Sequence, residues 1–290
     1  MDLFLNLLAS GLISGSIYGL IAIGFAVIFR TTGVLNFAQG EVMMLVAYVS
    51  WSLATALSLP FWLLLIVTVF AATLIGAILE RVFIRPMLGQ PTFAIIMVTI
   101  GLAIVLRSLT VLIWGTDAEP FDTIIKGGLL TVGPVVMYSE QFAAIVLFVI
   151  AIAAVTIFYR FSRVGVAMRA MAEDETTALL MGVNVKRMSM LAWSIAATVS
   201  GLAGVTLAMI SSRSSDMWVL GLRAFPGAIL GGLDSVVGAG FGGILIGVIG
   251  DLSEGYIGHG LKEISGFAVV ILVLMIRPYG LFGQRELERV

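Results

Sequence analysis

The sequence predicts an all-α integral membrane protein, a polytopic helical bundle of about eight membrane segments. Sixty percent of the 290 residues are hydrophobic and 11% are charged, against about 25% charged residues in an average globular protein. The mean hydropathy is +1.13, and the 33 glycines leave few polar residues to cover a water-facing surface. This composition excludes a soluble enzyme, a nucleic-acid-binding protein and a disordered chain.

Apolar runs locate the first four helices, because a spanning helix needs about 20 apolar residues, and only the fourth carries a charged residue, Arg107. Residues 3–29 supply the first helix, and residues 42–79 are long enough for two more. Ser-Leu-Pro at residues 58–60 lies in the middle of the second run, where proline favours a tight turn. Residues 92–114 form the fourth predicted helix.

Three further helices follow in the second half of the chain. Residues 141–159 and residues 188–212 supply the fifth and sixth helices. Residues 264–276 form the last one, which is short unless Leu261 and Arg277 extend it by placing their ends at the membrane interface.

The pattern of long apolar runs is interrupted by a glycine-rich region between the sixth helix and the last. Thirteen glycines fall within residues 221–260, and the charge-free pieces on either side of Asp234 are too short for two comfortable crossings. We therefore expect a re-entrant or broken segment near residues 222–250. Non-helical backbone at membrane depth is tolerated only where protein or a water-filled cavity covers it.

Basic residues predict the orientation, because cytoplasmic connections are enriched in Lys and Arg. The connection 160–187 holds five basic residues, whereas 115–140 holds Lys126 alone beside four acidic residues. The first connection is predicted to be cytoplasmic, and the second is predicted to be an external loop. The tail 277–290, with Arg277, Arg285 and Arg289, is cytoplasmic only if residues 222–250 enter and leave on the external side. Residues 1–290 are expected to form a single transmembrane domain.

A stripe of small residues runs along the first helix. Gly11, Gly15 and Gly19 repeat at four-residue spacing, which lets another helix approach closely. Helix packing is the favoured interpretation, and a pore-lining stripe is the alternative.

Four polar residues are candidates for a pathway or gate. Asn36 and Gln39 are spaced as a capping box for the second helix, and Glu41 suits the positive end of that helix dipole. The functional alternative is that Asn36, Gln39 and Glu41 line a passage, since ionisable groups at membrane depth often mark substrate routes. Arg107 either extends to the outer interface near Trp114 or belongs to the same passage.

The cytoplasmic connection contains a compact helical segment. Asp174 is placed to cap a short helix over residues 175–181, and Gly182 is placed to end it. Leu179, Leu180 and Met181 give one end of this helix an apolar face, which predicts a docking surface. A helix lying on lipid headgroups is the alternative.

The sequence lacks the residues or motifs that several kinds of active or binding site require. The chain has no cysteine and one histidine, so we expect no metal site and no catalytic residue. It has no phosphate-binding loop and no ladder of intramembrane carboxylates like that of a proton-driven pump. If the protein moves a solute uphill, the energy is expected to come from another subunit.

Five stretches of the sequence form recognisable motifs. They are residues 15–24 (GSIYGLIAIG), 34–41 (VLNFAQGE), 169–174 (RAMAED), 230–235 (LGGLDS) and 277–283 (RPYGLFG). Together they resemble the permease subunits of bacterial branched-chain amino-acid ABC importers, specifically the LivH-type subunit. The resemblance runs through most of the chain, and the Asn-centred run and the Arg-Pro-x-Gly-Leu-Phe-Gly run are its most specific parts.

The resemblance implies an ABC importer permease fold with a cytoplasmic coupling helix of pattern E-A-A-x-x-x-G. Ala178 and Gly182 match the last alanine and the glycine of that pattern, while Thr176 and Thr177 replace its first two residues. This departure leaves open which side chain contacts the ATPase. The residues implied in ATPase coupling are Arg169, Glu173, Asp174, Ala178 and Gly182.

The resemblance also implies the partners and the location. It implies a second, homologous permease of the LivM type, two cytoplasmic ATPase subunits and an external or periplasmic substrate-binding protein, in the lipid of the bacterial inner membrane. The chain itself would bind no cofactor, since ATP is hydrolysed by the partner subunits, and it would pass leucine, isoleucine and valine. The same machine for urea, short-chain amides or other amino acids is one alternative, and a self-sufficient secondary transporter is another.

Overall fold

The computed structural model describes residues 2–118, 128–132 and 135–283, which form a bundle of α-helices and one small β-hairpin. A π-helical turn, Glu80–Ile84, and a 3-10 turn, Arg85–Met87, follow the third helix. The elements are α1 Asp2–Thr32, α2 Gln39–Leu57, α3 Phe61–Leu79, α4 Thr92–Trp114, β1 Leu129–Val132, β2 Val135–Tyr138, α5 Ser139–Phe161, α6 Arg163–Glu173, α7 Glu175–Leu180, α8 Val185–Ser211, α9 Val219–Gly231, α10 Val236–Tyr256 and α11 Leu261–Ile276.

The predicted fold class is confirmed. Within the described residues, seven helices are long and apolar enough to cross a membrane, namely α1 to α5, α8 and α10. The shorter α9 has 13 residues and α11 has 16, so each covers less distance along the bundle. Large apolar side chains on α3, α4, α5 and α11 are exposed, as expected for surfaces that face lipid.

The glycine-rich region is broken between α9 and α10, but α10 is longer than the sequence predicts. The predicted segment ends near Gly250, whereas α10 continues to Tyr256 and is long enough to cross alone. It continues because the carboxylate of Asp251, which is 4% exposed, pairs with Lys262 of α11 and accepts a hydrogen bond from Ser14 of α1. A paired charge is far less costly at depth than an isolated one.

The segment from α9 to α10 starts and ends at the same end of the bundle. Leu207 and Ser211 of α8 share a cavity with the N-terminal half of α1, so α8 ends there. The α10 helix runs antiparallel to α1 and brings Gly255 against Leu7. Residues 222–250 therefore begin and end at the same end of the bundle. A cytoplasmic, positively charged tail requires this arrangement.

The tail after α11 covers the break between α9 and α10. The backbone N–H groups of Leu281 and Phe282 donate to the carbonyls of Leu230 and Gly231, at 2.8 and 3.1 Å. The last carbonyls of a helix have no partner within it, so these bonds satisfy the end of α9. Gly280 lies at φ +80°, which an L side chain rarely adopts. Residues 284–290, with Arg285 and Arg289, lie outside the described residues.

The loop 115–140, predicted to be external, differs from the sequence prediction in two respects. The strands β1 and β2 pair antiparallel, with Leu129 opposite Tyr138 and Thr131 opposite Val136. This stretch is rich in β-branched and aromatic residues, which favour strands, but it is too short to stand out in a chain dominated by apolar helices. The α5 helix begins at Ser139 rather than at residue 141. Glu119, Asp122 and Lys126 lie outside the described residues.

Glycines bring three helix backbones into contact at the centre of the bundle. A Cβ atom on Gly243 of α10 would overlap the Cα atom of Gly19 of α1, and a Cβ on Gly227 of α9 would lie 2.7 Å from the Cα of Gly243. The same holds along α1, where Gly15 lies against Gly247 and Gly11 against Val248. The stripe on α1 therefore faces α10 rather than an open passage.

Replacing Gly247 with Ala is expected to destabilise the protein by about 1–3 kcal/mol, because the added methyl group must push α10 away from α1. The matched control is Gly101→Ala on α4, where an added Cβ meets no atom within 4 Å. Thermal unfolding of the purified protein in detergent measures both variants. A Gly247→Ala protein as stable as Gly101→Ala would contradict the tight α1–α10 contact.

Candidate functional site

Two cavities lie on opposite sides of the short helix α9. The larger, about 430 Å³, is bounded by α1, α5, α8, α9, α11 and the strand β2. The smaller, about 190 Å³, is bounded by α1, α2, α4 and α9. Leu220 and Arg223 face the larger cavity, whereas Gly221, Leu222 and Phe225 face the smaller one. The broken helix is thus the wall between them.

The larger cavity has a mixed lining, in which polar and apolar residues are equally frequent, and it lies at the end of the bundle that the basic residues predict to be external. Its charged groups are paired, since Lys262 contacts Asp251 and Arg223 contacts Glu263. The Lys262 ammonium also donates to the Ser14 hydroxyl at 3.3 Å. The other polar residues that line it are Asn6, Ser10, Tyr18, Gln141 and Ser211.

The smaller cavity contains an ion pair in an apolar setting. The Arg107 Nη2 donates to the Glu41 Oε1 at 2.5 Å, and Glu41 is 3% exposed. The guanidinium carbon of Arg107 lies 3.3 Å from the ring centroid of Trp218. The other lining residues are Phe25, Phe37, Gly40, Ile100, Ala103, Ile104, Gly221, Leu222 and Phe225. Arg107 therefore points into the bundle toward Glu41, and it does not extend to the interface near Trp114.

The predicted capping box at the start of α2 is wrong. The N-cap is Ala38, without a side-chain bond, and the Asn36 Oδ1 accepts from the Ala38 N–H at 3.0 Å instead. The Asn36 Nδ2 donates to the Gln39 Oε1 at 2.8 Å. Gln39 cannot turn back to the N-cap because its amide also donates to the Ser200 Oγ at 2.5 Å and to the Ala196 carbonyl at 3.3 Å.

Asn36 and Gln39 consequently lie behind the cavity rather than in its lining. Each is 1% exposed, and their hydrogen bonds join the first turn of α2 to the middle of α8. Glu41 lies in that first turn, where the positive end of the helix dipole stabilises its carboxylate. Of the four pathway candidates, the structure brings Glu41 and Arg107 together and uses Asn36 and Gln39 to hold Glu41 in place.

Sequence reasoning missed Arg213, which is buried in the connection between α8 and α9. It is 1% exposed, and its guanidinium carbon lies 4.0 Å from the ring centroid of Trp51 and 4.6 Å from that of Tyr48. These cation–π contacts hold the start of the α9 connection against α2. The spacing of Tyr48 and Trp51, one turn apart on α2, is a signal, but it does not identify the cation.

The connection 160–187, predicted to be cytoplasmic, folds into two helices at the opposite end from the larger cavity. The Ser162 Oγ accepts from the Gly165 N–H at 2.8 Å and caps α6. Arg169 and Glu173 lie on α6, and Glu173 is exposed. Ala178 lies on α7 and is 3% exposed, because it packs toward the bundle.

The short helix α7 is held at both ends. The Asp174 Oδ1 accepts from the N–H groups of Thr176 and Thr177, at 2.8 and 3.0 Å. Gly182 ends the turn at φ +86°. The outer face of α7 is apolar, with Leu180 84% exposed and Met181 81% exposed.

The Asp174 cap persists in mildly acidic solution. The backbone N–H and then the hydroxyl of Thr177 lower the pKa of Asp174 below its usual value. A carboxyl with a lowered pKa stabilises the folded state above its unfolded pKa, and that contribution is lost as the pH falls through the lower, folded value. The cap therefore remains in place throughout the neutral range.

Other ionisable groups do not form a further site. His259 is exposed, with its Nδ1 3.8 Å from the Glu254 Oε1, as expected for a surface residue. Within residues 2–118, 128–132 and 135–283, no group of three or more His, Asp or Glu residues converges in a way that could hold a metal ion.

Comparison with known proteins identifies close relatives along nearly the whole chain. Residues 7–277 match the family model described as "Branched-chain amino acid transport system / permease component". The chain is 35% identical to the high-affinity branched-chain amino acid transport system permease protein LivH of Escherichia coli K12, covering 99% of this chain and 98% of the relative. The protein BraD of Pseudomonas aeruginosa is 32% identical, with the same coverage. A probable LivH of Methanocaldococcus jannaschii is 25% identical, covering 98% and 95%.

Similarity to solved structures is weaker. A chain of "PsaBC from Streptococcus pneumoniae in complex with Fab" aligns with a TM-score of 0.49 at 17% identity, over 93% of this chain and 91% of that one. A likeness of this size adds nothing to the assignment.

Replacing Arg107 with Met is expected to destabilise the protein by about 3–5 kcal/mol, because the buried Glu41 carboxylate then loses its partner. The double variant Glu41→Gln/Arg107→Met removes both charges and should recover most of that loss. Thermal unfolding in detergent measures the wild type, both single variants and the double variant. A double variant no more stable than Arg107→Met would contradict the expected cost of leaving the Glu41 carboxylate unpaired.

Proposed function

Because the chain belongs to the branched-chain amino acid transport permease family, we propose that it is the permease subunit of an ATP-binding-cassette importer. It is a multi-pass inner-membrane transport protein, and in this proposal it forms part of the passage for leucine, isoleucine and valine. It performs no chemistry and binds no cofactor, since separate partner subunits hydrolyse ATP.

The observation that carries the proposal is the geometry of α7. A helix of six residues is too short to be stable alone, yet the Asp174 cap and Gly182 fix both of its ends. Its outer face presents Leu179, Leu180 and Met181. Exposed apolar residues on a rigid, protruding helix are typical of a docking surface. This arrangement supports ATPase docking at residues 160–187.

A continuous set of contacts connects α7 to the smaller cavity. The Val183 N–H donates to the Ala178 carbonyl at 3.0 Å, and the Asn184 side chain caps α8. The α8 helix, about 40 Å long, then reaches Ser200, which holds Gln39. Movement of α7 on the ATPase would be passed along α8 to the first turn of α2, and so to Glu41.

The proposed partners fit the two ends of the bundle. Two cytoplasmic ATPase subunits serve one importer, one on α7 of this chain and one on a second, homologous permease of the LivM type. An external substrate-binding protein would deliver its solute at the end that carries the larger cavity. Dimerisation of the ATPases on binding ATP would move the coupling helices and switch the shared passage between outward and inward access.

Replacing Leu180 with Glu should disrupt ATPase docking, because a charge then replaces an apolar side chain at the centre of the α7 face. Loss of one such contact, worth about 2 kcal/mol, corresponds to about 30-fold weaker binding. Co-purification of the ATPases and ATP-dependent uptake into proteoliposomes measure the effect, with Leu180→Met as the matched control. Unchanged uptake by Leu180→Glu would overturn the docking assignment.

The Asp174 cap predicts a second, graded effect on the same helix. Asp174→Ala removes the acceptors for the Thr176 and Thr177 N–H groups, so α7 should fray. Asp174→Asn keeps one acceptor oxygen and should retain most of the uptake. Equal uptake by the Ala variant and the wild type would show that α7 needs no cap for coupling.

A further inference from the structure

We infer that the smaller cavity beside α9 is a transit site for the zwitterion of an aliphatic amino acid. In this site Glu41 pairs with the ammonium group, Arg107 pairs with the carboxylate, and the aromatic and aliphatic wall holds the side chain. The inference rests on the proposed function, because it takes the family's transport activity as given and locates where in this chain the substrate is held.

The two charged groups in the lining of the smaller cavity match the two charged groups of a single amino acid. Among the residues that line the cavity there is one acidic group, Glu41, and one basic group, Arg107. An amino acid carries an ammonium and a carboxylate on the same carbon, so it can replace the one ion pair with two. A simple amine or a simple carboxylate would leave a charged protein group without a partner at a largely buried position, which is costly. Urea and amides carry neither charge.

Arg107 retains donor capacity for a carboxylate. Only its Nη2 donates to Glu41, and its Nε is buried without a hydrogen-bond acceptor. A guanidinium binds a carboxylate best through two parallel N–H groups. The Trp218 ring, 3.3 Å from the guanidinium carbon, supports the group on one face and would keep it in place when Glu41 turns to the ammonium.

The rest of the wall suits a branched aliphatic side chain. The Phe225 ring lies 5.4 Å from that of Phe25 and 6.0 Å from that of Phe37, measured between centroids, so the three rings form one apolar surface. The volume of about 190 Å³ is below the roughly 300–1,000 Å³ of pockets that bind drug-sized ligands, so it fits one small molecule. Gly40 of α2 and Gly221 of α9 are in direct backbone contact, which closes the cavity between these two helices.

The cavity is open between α4 and α9. Ile104 is 60% exposed and Leu222 is 47% exposed, and both line the mouth. In the proposed importer this part of the α4 surface would face the second permease rather than lipid, so the mouth would open into the shared passage. The mouth also provides a way to block the site without touching the ion pair.

The first test blocks that mouth in the assembled importer. Ile104→Trp places a large ring in the opening and should lower ATP-dependent uptake of radiolabelled leucine into proteoliposomes at least tenfold. The matched control is Val105→Trp. Val105 is 49% exposed on the same helix but does not line the cavity, so this variant should change uptake less than twofold. Equal uptake by Ile104→Trp and Val105→Trp would overturn the inference.

The second test measures binding to the purified importer without its substrate-binding protein, so that only the membrane subunits select the ligand. Millimolar leucine should raise the unfolding temperature, whereas 3-methylbutylamine, 4-methylpentanoate and urea should not. Glu41→Gln should abolish the leucine effect, and Glu41→Asp, which keeps the charge, should retain part of it. A shift with urea or 4-methylpentanoate equal to that with leucine, or an unchanged shift in Glu41→Gln, would overturn the inference. This test also decides the matter if Ile104→Trp fails to assemble.

The two tests separate this inference from the proposed function. If the wild-type importer shows no ATP-dependent uptake of leucine, isoleucine or valine, the proposed function fails. If the wild type transports leucine and Ile104→Trp transports it equally well, the importer assignment stands and the transit site alone fails.

Discussion

The structure depends on the absence of side chains where α1, α10 and α9 cross. Gly19, Gly243 and Gly227 bring three helix backbones into direct contact, and Gly15 with Gly247 continues the contact along α1. Attraction between helices in lipid comes from close packing rather than from the exclusion of water, so such contacts are the main source of association. Because α9 is fixed against α10 here, its position determines the two cavities on either side of it.

Several polar groups in the interior support elements of the smaller cavity. The Asn36–Gln39–Ser200 hydrogen bonds join α2 to α8, and Arg213 joins the α9 connection to α2. The Glu41–Arg107 pair then links α2 to α4. These bonds replace water as partners for groups that would otherwise be costly at this depth. The cavity therefore has charged walls in fixed positions, and α8 provides a rigid connection from them to α7.

Much of the fold was predictable because apolar runs, glycines and basic residues act locally. The helix runs, the break near Asp234 and the Asp174 cap all follow from the sequence within a few residues. The errors arose where distant residues intervene. Gln39 forms hydrogen bonds with α8 instead of a capping box. Lys262 pairs with Asp251, and α10 continues past that carboxylate. The rings of Tyr48 and Trp51 form cation–π contacts with Arg213.

The sequence by itself determined that the chain is a membrane-spanning bundle with a broken segment and a short capped helix in the connection 160–187, because composition and local periodicity decide these features. The resemblance of its motifs indicated the family. Only the tertiary structure decided which of the polar candidates meet, since Glu41 and Arg107 are 66 positions apart. It also showed that the tail motif satisfies the end of α9 and that α9 separates two cavities. A pairing between distant helices depends on how the helices pack, and no local pattern encodes that.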